Sequence, residues 1–289
     1  MITHPFTYQA PATIEEAVRA LGGTRDAKVI AGGHSLLPLM KLGLAQPETL
    51  IDLRRIASLR EIRTEADGTI AIGALATHRT ITHDQAVRAK LVALAEAAGA
   101  VGDLQVRAWG TIGGSLAHAD SAADEPAPTL AFDATIRAIG PKGQRDIRAR
   151  DYFKGTFETA LAANEILAEI RIPAQPGRTG SAYAKFAHPA SGFAVTGVAA
   201  VITIKADGSV ERAAIGVTGA AAAPYRAAES EKALTGSKGD AKAIAAAAAK
   251  AADGITALSD LVASSEYRKH LVTVYAKRAI ERAIERARA

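Results

Sequence analysis

The spacing of apolar and polar positions changes several times along the chain, and each change predicts an element. Apolar residues recur at helical spacing over 13–21 and 36–42, the second with Pro38 in its first turn, where a missing N–H costs little. Short apolar runs at 28–30 and 49–53 predict strands, so residues 1–55 read as a small α/β unit. Between 56 and 176, strands at 69–72 and 135–138 surround a helical stretch at 84–98, an α+β unit. The proline- and glycine-rich segment 173–180 reads as a linker. Three strands follow at 182–187, 194–205 and 210–218, with Ala206-Asp207-Gly208-Ser209 as the turn of the last hairpin. Helices are predicted near 227–234, 241–252 and 265–288, and the alanine run at 243–252 predicts close helix packing, since alanine combines high helix propensity with little bulk.

Composition narrows the function classes. A chain of 289 residues is long enough for more than one core. No apolar stretch reaches the ~18–20 residues that cross a bilayer, and residues 1–10 lack the basic start and apolar core of a signal peptide. The chain is therefore expected to be cytoplasmic, or peripheral to a membrane through partners. The absence of cysteine removes disulfides, thiolate nucleophiles and any cysteine-ligated iron–sulfur cluster from this polypeptide. The seven histidines show no metal-ligand spacing; the nearest pair, His78 and His83, is expected to face solvent around a short helix.

The net charge of +5 is small and mixed with acids, and no aromatic interleaving supports nucleic-acid stacking. Much of the surplus is a row of Arg278, Arg282 and Arg286 beside Glu281 and Glu285, read as a solvated, ion-paired helix face, with a docking surface for a partner subunit as the alternative.

The candidate chemistry lies in two glycine-bearing runs about 80 residues apart, Ala31-Gly32-Gly33-His34-Ser35-Leu36 and Thr111-Ile112-Gly113-Gly114-Ser115. Each is expected where a strand-like run gives way to a turn, presenting consecutive backbone N–H groups to an anion, so that the two could hold one diphosphate from both sides. Ser35 can cap the following helix or bond phosphate, and Thr111 and Ser115 add hydroxyls. The first run fits neither Gly-x-Gly-x-x-Gly nor the P-loop. Downstream, Asp124 could take hydroxyl protons of a sugar or ribityl chain, with surface capping as the alternative for it and Asp120.

The order of these and other blocks resembles the medium, FAD-binding subunits of the molybdenum hydroxylases, of the carbon monoxide dehydrogenase type. The resemblance runs nearly end to end: Phe6-Thr7-Tyr8, the two glycine runs, Leu50-Ile51-Asp52-Leu53, Ile72-Gly73-Ala74 with Thr77, Glu165-Ile166-Leu167, Ile170-Arg171-Ile172-Pro173, Tyr183-Ala184-Lys185-Phe186 and residues 191–200. It implies an α+β, PCMH-type FAD-binding fold: two α/β subdomains (1–55 and 56–176) forming an FAD-binding domain over 1–176, then a three-stranded antiparallel sheet with a helical bundle over 177–289 that closes over the flavin and contacts partners.

The resemblance also implies site residues. Val29, Ile30, Ala31, Gly32, Gly33, His34, Ser35 and Leu36 match the first diphosphate loop; Gly110, Thr111, Gly114, Ser115 and Ala117 match the second; Val101 and Asp124 match positions near the cofactor. Ile166 and Leu167 match a stretch whose backbone lies against the ring, Lys185 a lysine beside it and Phe193 an aromatic position near it. Ser115 stands where many relatives have Asn, and His188-Pro189 where some have a basic pair. An ammonium at Lys185 would stabilise negative charge on the reduced ring and raise its potential; a surface lysine snorkelling beside Tyr183 and Phe186 is the alternative.

The implied activity is electron transfer. Noncovalent FAD would take electrons from [2Fe–2S] clusters on a small iron–sulfur subunit and pass them to quinone, NAD or oxygen. A large subunit with a molybdenum cofactor would oxidise the substrate, in a dimer of heterotrimers. Two alternatives remain at this level: a self-contained flavin oxidase, in which His34 could carry FAD covalently, and an assembly subunit without flavin.

Overall fold

The computed structural model describes residues 2–289 and contains three main sheets. The first has strands Thr7–Gln9, Thr49–Asp52 and Ala27–Ile30 in that order, all parallel. Helix Leu36–Lys41 lies in the connection that returns the chain from Ala27–Ile30 to Thr49–Asp52. Thr13 starts helix Ile14–Gly23 by accepting the Glu16 amide. Asp52 closes the sheet's end, accepting from the Tyr8 hydroxyl at 2.7 Å and from the Arg54 amide at 2.8 Å.

The second sheet is antiparallel, ordered Ile62–Thr64, Ile70–Gly73, Ile166–Ile172, Thr135–Gly140, Gly143–Arg148. It packs on a helical layer through Ile72, Leu94, Ile112, Phe132, Ile136 and Ile170, all essentially fully buried. The expected helix at 84–98 is two helices, Gln85–Lys90 and Val92–Ala100, because Leu91 leaves the helical region (φ −125°, ψ 50°). The redirected second helix carries the Ala93 amide to the Ser181 hydroxyl of the third sheet, 3.1 Å away.

That third sheet is antiparallel and ordered Thr179–Ala187, Ala194–Ile204, Val210–Thr218, Tyr225–Arg226. It has four strands rather than the expected three; the last is only two residues, too short to leave a pattern in the sequence. The first strand already begins at Thr179, inside the expected linker, because its pairing with Thr203 is set by the neighbouring strand. The hairpin turn falls at 206–209 as read, with Gly208 at φ +80° and Asp207 accepting the Ser209 amide. Helix Ser265–Arg288 lies across the sheet, burying Val272, Ala276, Ala279, Ile280 and Ala283 against it, and helix Ala241–Ala249 packs its alanines into the same core. Among the described residues no helix is long and apolar enough to cross a membrane.

The basic row on the long helix is ion-paired, as its spacing indicated, but its carboxylate partner lies on another helix rather than at the neighbouring Glu281 and Glu285. Arg282 and Arg286 both donate to the Glu96 carboxylate of helix Val92–Ala100, at 2.6 and 2.7 Å. Their other nitrogens reach the carbonyls of Tyr183 and Ser181. Only Arg278 keeps to its own helix, with its guanidinium over the Tyr275 ring at 4.7 Å.

Candidate functional site

The first glycine run leaves strand Ala27–Ile30 and enters helix Leu36–Lys41, as the apolar pattern indicated. Gly33 takes φ +77°, which favours glycine. Among the described residues, the amides of Gly32, Gly33, His34 and Ser35 find no acceptor in the chain, and the Ser35 hydroxyl makes no capping bond. His34 and Ser35 are exposed; Ala31, Gly32, Gly33 and Leu36 are half-buried. Four adjacent amides and a hydroxyl free of internal partners form the kind of surface that takes a phosphate.

The second run differs from its expected form. Trp109 ends a helix, Leu104–Trp109, rather than a strand, and the glycine pair lies inside the next helix, Ile112–His118. Four of its five amides are already used: Ile112 donates to Ala76 O, Gly113 to Ala74 O, Ser115 to Thr111 O, and Gly114 to the Thr111 hydroxyl at 3.1 Å; only the Thr111 amide finds no acceptor among the described residues. The glycines serve approach instead. A Cβ on Gly113 would stand 2.4 Å from that of Ala74, and one on Gly32 would stand 2.2 Å from Trp109 O. The two runs therefore touch through bare backbone, and a Cβ on Gly114 would meet Ala31 at 3.8 Å. Ser115 is half-buried and Ala117 exposed.

Beside this contact lies a buried pair that the sequence did not reveal. His78 Nδ1 lies 2.5 Å from Glu125 Oε1, and both side chains are buried. The expectation that His78 faces solvent is wrong: helix His78–His83 turns His83 outward but packs the His78 ring against Gly110, where a Cβ would be 2.6 Å from Nε2. Burial lowers the imidazole pKa, but the charge and hydrogen bond of Glu125 and the charge of Asp124 outweigh it, and the net shift is upward.

A group whose folded pKa is raised contributes stability below its ordinary value, about 6.5, that fades as pH rises through the folded value. His78→Gln should therefore cost more stability at mildly acidic than at alkaline pH. Denaturant titrations of both proteins across that range check this, and a pH-independent difference would refute it.

Asp124 begins the second half of the site. It is buried, accepting from the Tyr183 hydroxyl at 2.6 Å and from Lys185 Nζ at 2.8 Å. Surface capping is thus excluded for Asp124, whereas Asp120 does cap, accepting the Ala122 amide. Burial first, then Asp124, holds the Tyr183 hydroxyl well above its ordinary pKa, so it stays a donor. Gly197 makes room for that hydroxyl: a Cβ there would stand 2.1 Å from it. Lys185 is no snorkelling surface residue; its side chain is 7% exposed, and its ammonium also donates to Ala100 O at 2.9 Å. One N–H of the ammonium remains uncommitted.

Val101 follows directly, its carbonyl taken by Arg107. The exposed Phe193 sits in the turn 188–193, whose Gly192 lies against Gly102. Ile166 and Leu167 are buried, and strand Ile70–Gly73 pairs only with 169–172, leaving that edge of their backbone without a strand. Val29 and Ile30 lie in the first sheet, Ile30 in its core. A cleft of about 610 Å³ opens between helices Val92–Ala100 and Ser265–Arg288, with Lys185, Tyr275 and Arg278 in its walls. Among the described residues, no cluster of acidic and histidine side chains could hold a metal ion.

Comparison with known proteins matches residues 4–175 to the FAD binding domain in molybdopterin dehydrogenase and residues 181–283 to the CO dehydrogenase flavoprotein C-terminal domain. The carbon monoxide dehydrogenase medium chain of Hydrogenophaga pseudoflava is 40% identical over 284 residues, 98% of each chain. The 6-hydroxypseudooxynicotine dehydrogenase complex subunit alpha of Paenarthrobacter nicotinovorans is 36% identical over 98% of this chain and 96% of its own. A solved structure of the Hydrogenophaga pseudoflava carbon monoxide dehydrogenase superposes with a TM-score of 0.95 at 41% identity, covering 99% of both chains.

Proposed function

The chain belongs to the FAD-binding medium subunits of the molybdenum hydroxylases, of the carbon monoxide dehydrogenase type, and from that premise we propose that it relays electrons from a partner's [2Fe–2S] clusters to an external acceptor. It is a flavoprotein oxidoreductase subunit, and FAD is its cofactor. Bound FAD supplies the ability to collect electrons and release them in pairs. The observation that carries the reading is the row of four uncommitted amides at residues 32–35, lying against the second glycine run at Trp109 and Gly110.

In this reading residues 32–35 bind the diphosphate, and Thr111 fixes the second run through the Gly114 amide. The spare N–H of Lys185 would be the one available to the ring. Asp124 and Ala100 O hold that ammonium in place. Residues 1–176 carry the cofactor and 177–289 close over it, with Phe193 reaching in from the second part. The partners are a large molybdenum-cofactor subunit and a small iron–sulfur subunit, arranged as a dimer of heterotrimers; quinone, NAD or oxygen accepts the electrons, in the cytoplasm or at a membrane reached through those partners. FAD is held without a covalent bond, so acid denaturation should release it from the chain.

Absorbance of the chain purified alone and with its co-purifying partners tests the proposal. Flavin bands alone, joined by iron–sulfur absorbance only with partners, support it; flavin bleached by a small substrate without partners would overturn it. A second expectation concerns Lys185. Lys185→Met removes a fixed positive charge and leaves Asp124 behind, so the flavin midpoint should fall by about 30 mV or more, equivalent to about 1.4 kcal/mol for a two-electron couple. FAD content should stay stoichiometric, and an unchanged potential would remove Lys185 from the mechanism.

A further inference from the structure

Strand Thr179–Ala187 is the outer strand of its sheet, so the edge that carries Lys185 has no neighbouring strand. Side chains and one carbonyl occupy that edge instead. Glu96 Oε2 accepts the Tyr183 amide at 2.7 Å, while Arg282 and Arg286 share Glu96 Oε1 and cover the Tyr183 and Ser181 carbonyls. One helical turn beyond Glu96, Ala100 O accepts the Lys185 ammonium.

The spacings match. Four residues of helix rise about 6 Å, and two residues of strand advance about 6.6 Å. Glu96 to Tyr183 N and Ala100 O to Lys185 Nζ therefore form two rungs between helix and strand. The Tyr183 hydroxyl and Lys185 then meet again on Asp124, which closes the frame. Glu96 is the member of this frame that joins helix Val92–Ala100, the outer strand and the long C-terminal helix at a single carboxylate.

We infer that Glu96 is a positioning residue for Lys185: it sets the register of the outer strand against helix Val92–Ala100 and so the height of the ammonium over the flavin. The inference rests on the reading of Lys185 given above. It makes a prediction that a purely electrostatic role contradicts in sign. Deleting a nearby negative charge through space raises a flavin potential, whereas letting the ammonium drift from the ring lowers it.

The test is the flavin midpoint potential of the FAD-loaded complex in the parent and five variants. Glu96→Ala should shift it downward, in the direction of Lys185→Met. Glu96→Asp keeps the charge but retracts the carboxylate by one methylene, and it should also lower the potential, which serves if the alanine variant does not fold. Glu96→Gln keeps an acceptor for the Tyr183 amide and should not lower it. The double variant Glu96→Ala/Lys185→Met should fall no further than Lys185→Met alone, because the two act through one group.

A raised or unmoved potential in both Glu96→Ala and Glu96→Asp, or additive shifts in the double variant, would overturn the inference while leaving Lys185 in place. An unmoved potential in Lys185→Met alone would instead remove the tuning reading, and the role of Glu96 with it.

Discussion

Gly32→Ala should yield a folded chain that loses FAD on purification. The added methyl would lie 2.2 Å from Trp109 O and 2.8 Å from Gly110 Cα, and neither neighbour is a flexible side chain that can swing aside. The runs at 31–35 and 109–115 must then separate, and the amides of residues 32–35 move away from the second run. Gly32 lies outside the buried clusters that hold the sheets, so folding should survive. Two lost bonds to a charged phosphate at about 1.5 kcal/mol each remove about 3 kcal/mol of binding, about a hundredfold in Kd.

Fluorescence titration of the apo chain with FAD measures this directly. Gly114→Ala is the contrasting case: its nearest obstacles are the Thr111 hydroxyl at 2.9 Å and Ala31 Cβ at 3.8 Å, and alanine suits a helix better than glycine. It should weaken FAD far less. Equal losses at both positions, or stoichiometric FAD in Gly32→Ala, would disprove the placement of the diphosphate at the first run.

Asp124→Ala should produce the largest loss of stability of any single change at the site. It leaves the Lys185 ammonium and the Tyr183 hydroxyl buried without their shared acceptor. Removing one partner of a buried ion pair costs about 3–5 kcal/mol, because the remaining charge cannot be resolvated. Denaturant midpoints of the apo protein measure the cost apart from any effect of FAD. Asp124→Asn, which keeps one oxygen for Lys185, should cost clearly less, and the double variant Asp124→Ala/Lys185→Met should recover part of the loss. A cost below that of an ordinary surface substitution would mean that the pair opens to water.

The elements with a strong local pattern were legible from the residues. The strand at 194–205 is a nearly continuous apolar run, the one at 210–218 is apolar from Ala213 after a charged pair, and both lie within one residue of the observed Ala194–Ile204 and Val210–Thr218. The helix at 265–288 coincides with Ser265–Arg288 because its apolar positions repeat with the helical period. Leu91 could not be read as a break, since nothing in its neighbours excludes a helix; the bond from Ala93 to Ser181, 88 positions away, accompanies the redirection.

Within the site, both glycine runs could be found from composition, but not the division of labour between them. The first run keeps the amides of residues 32–35 free, whereas the second spends those of Ile112 and Gly113 on Ala76 and Ala74, which only the docking of helix Ile112–His118 brings near. The pairings of His78, Tyr183 and Glu96 were illegible for the same reason. Their partners stand 47, 59 and 87 positions away, beyond any spacing rule.

The sequence by itself determined the elements with a strong local pattern, the two glycine runs and, through the order and spacing of its motifs, the family. Those are properties of residues and their near neighbours, which period, propensity and turn chemistry govern. Tertiary structure alone decided which charges are buried together, which amides stay free and which glycines are bare because another backbone passes against them. Burial and pairing depend on distances between segments, and those distances exist only once the sheets and helices have packed.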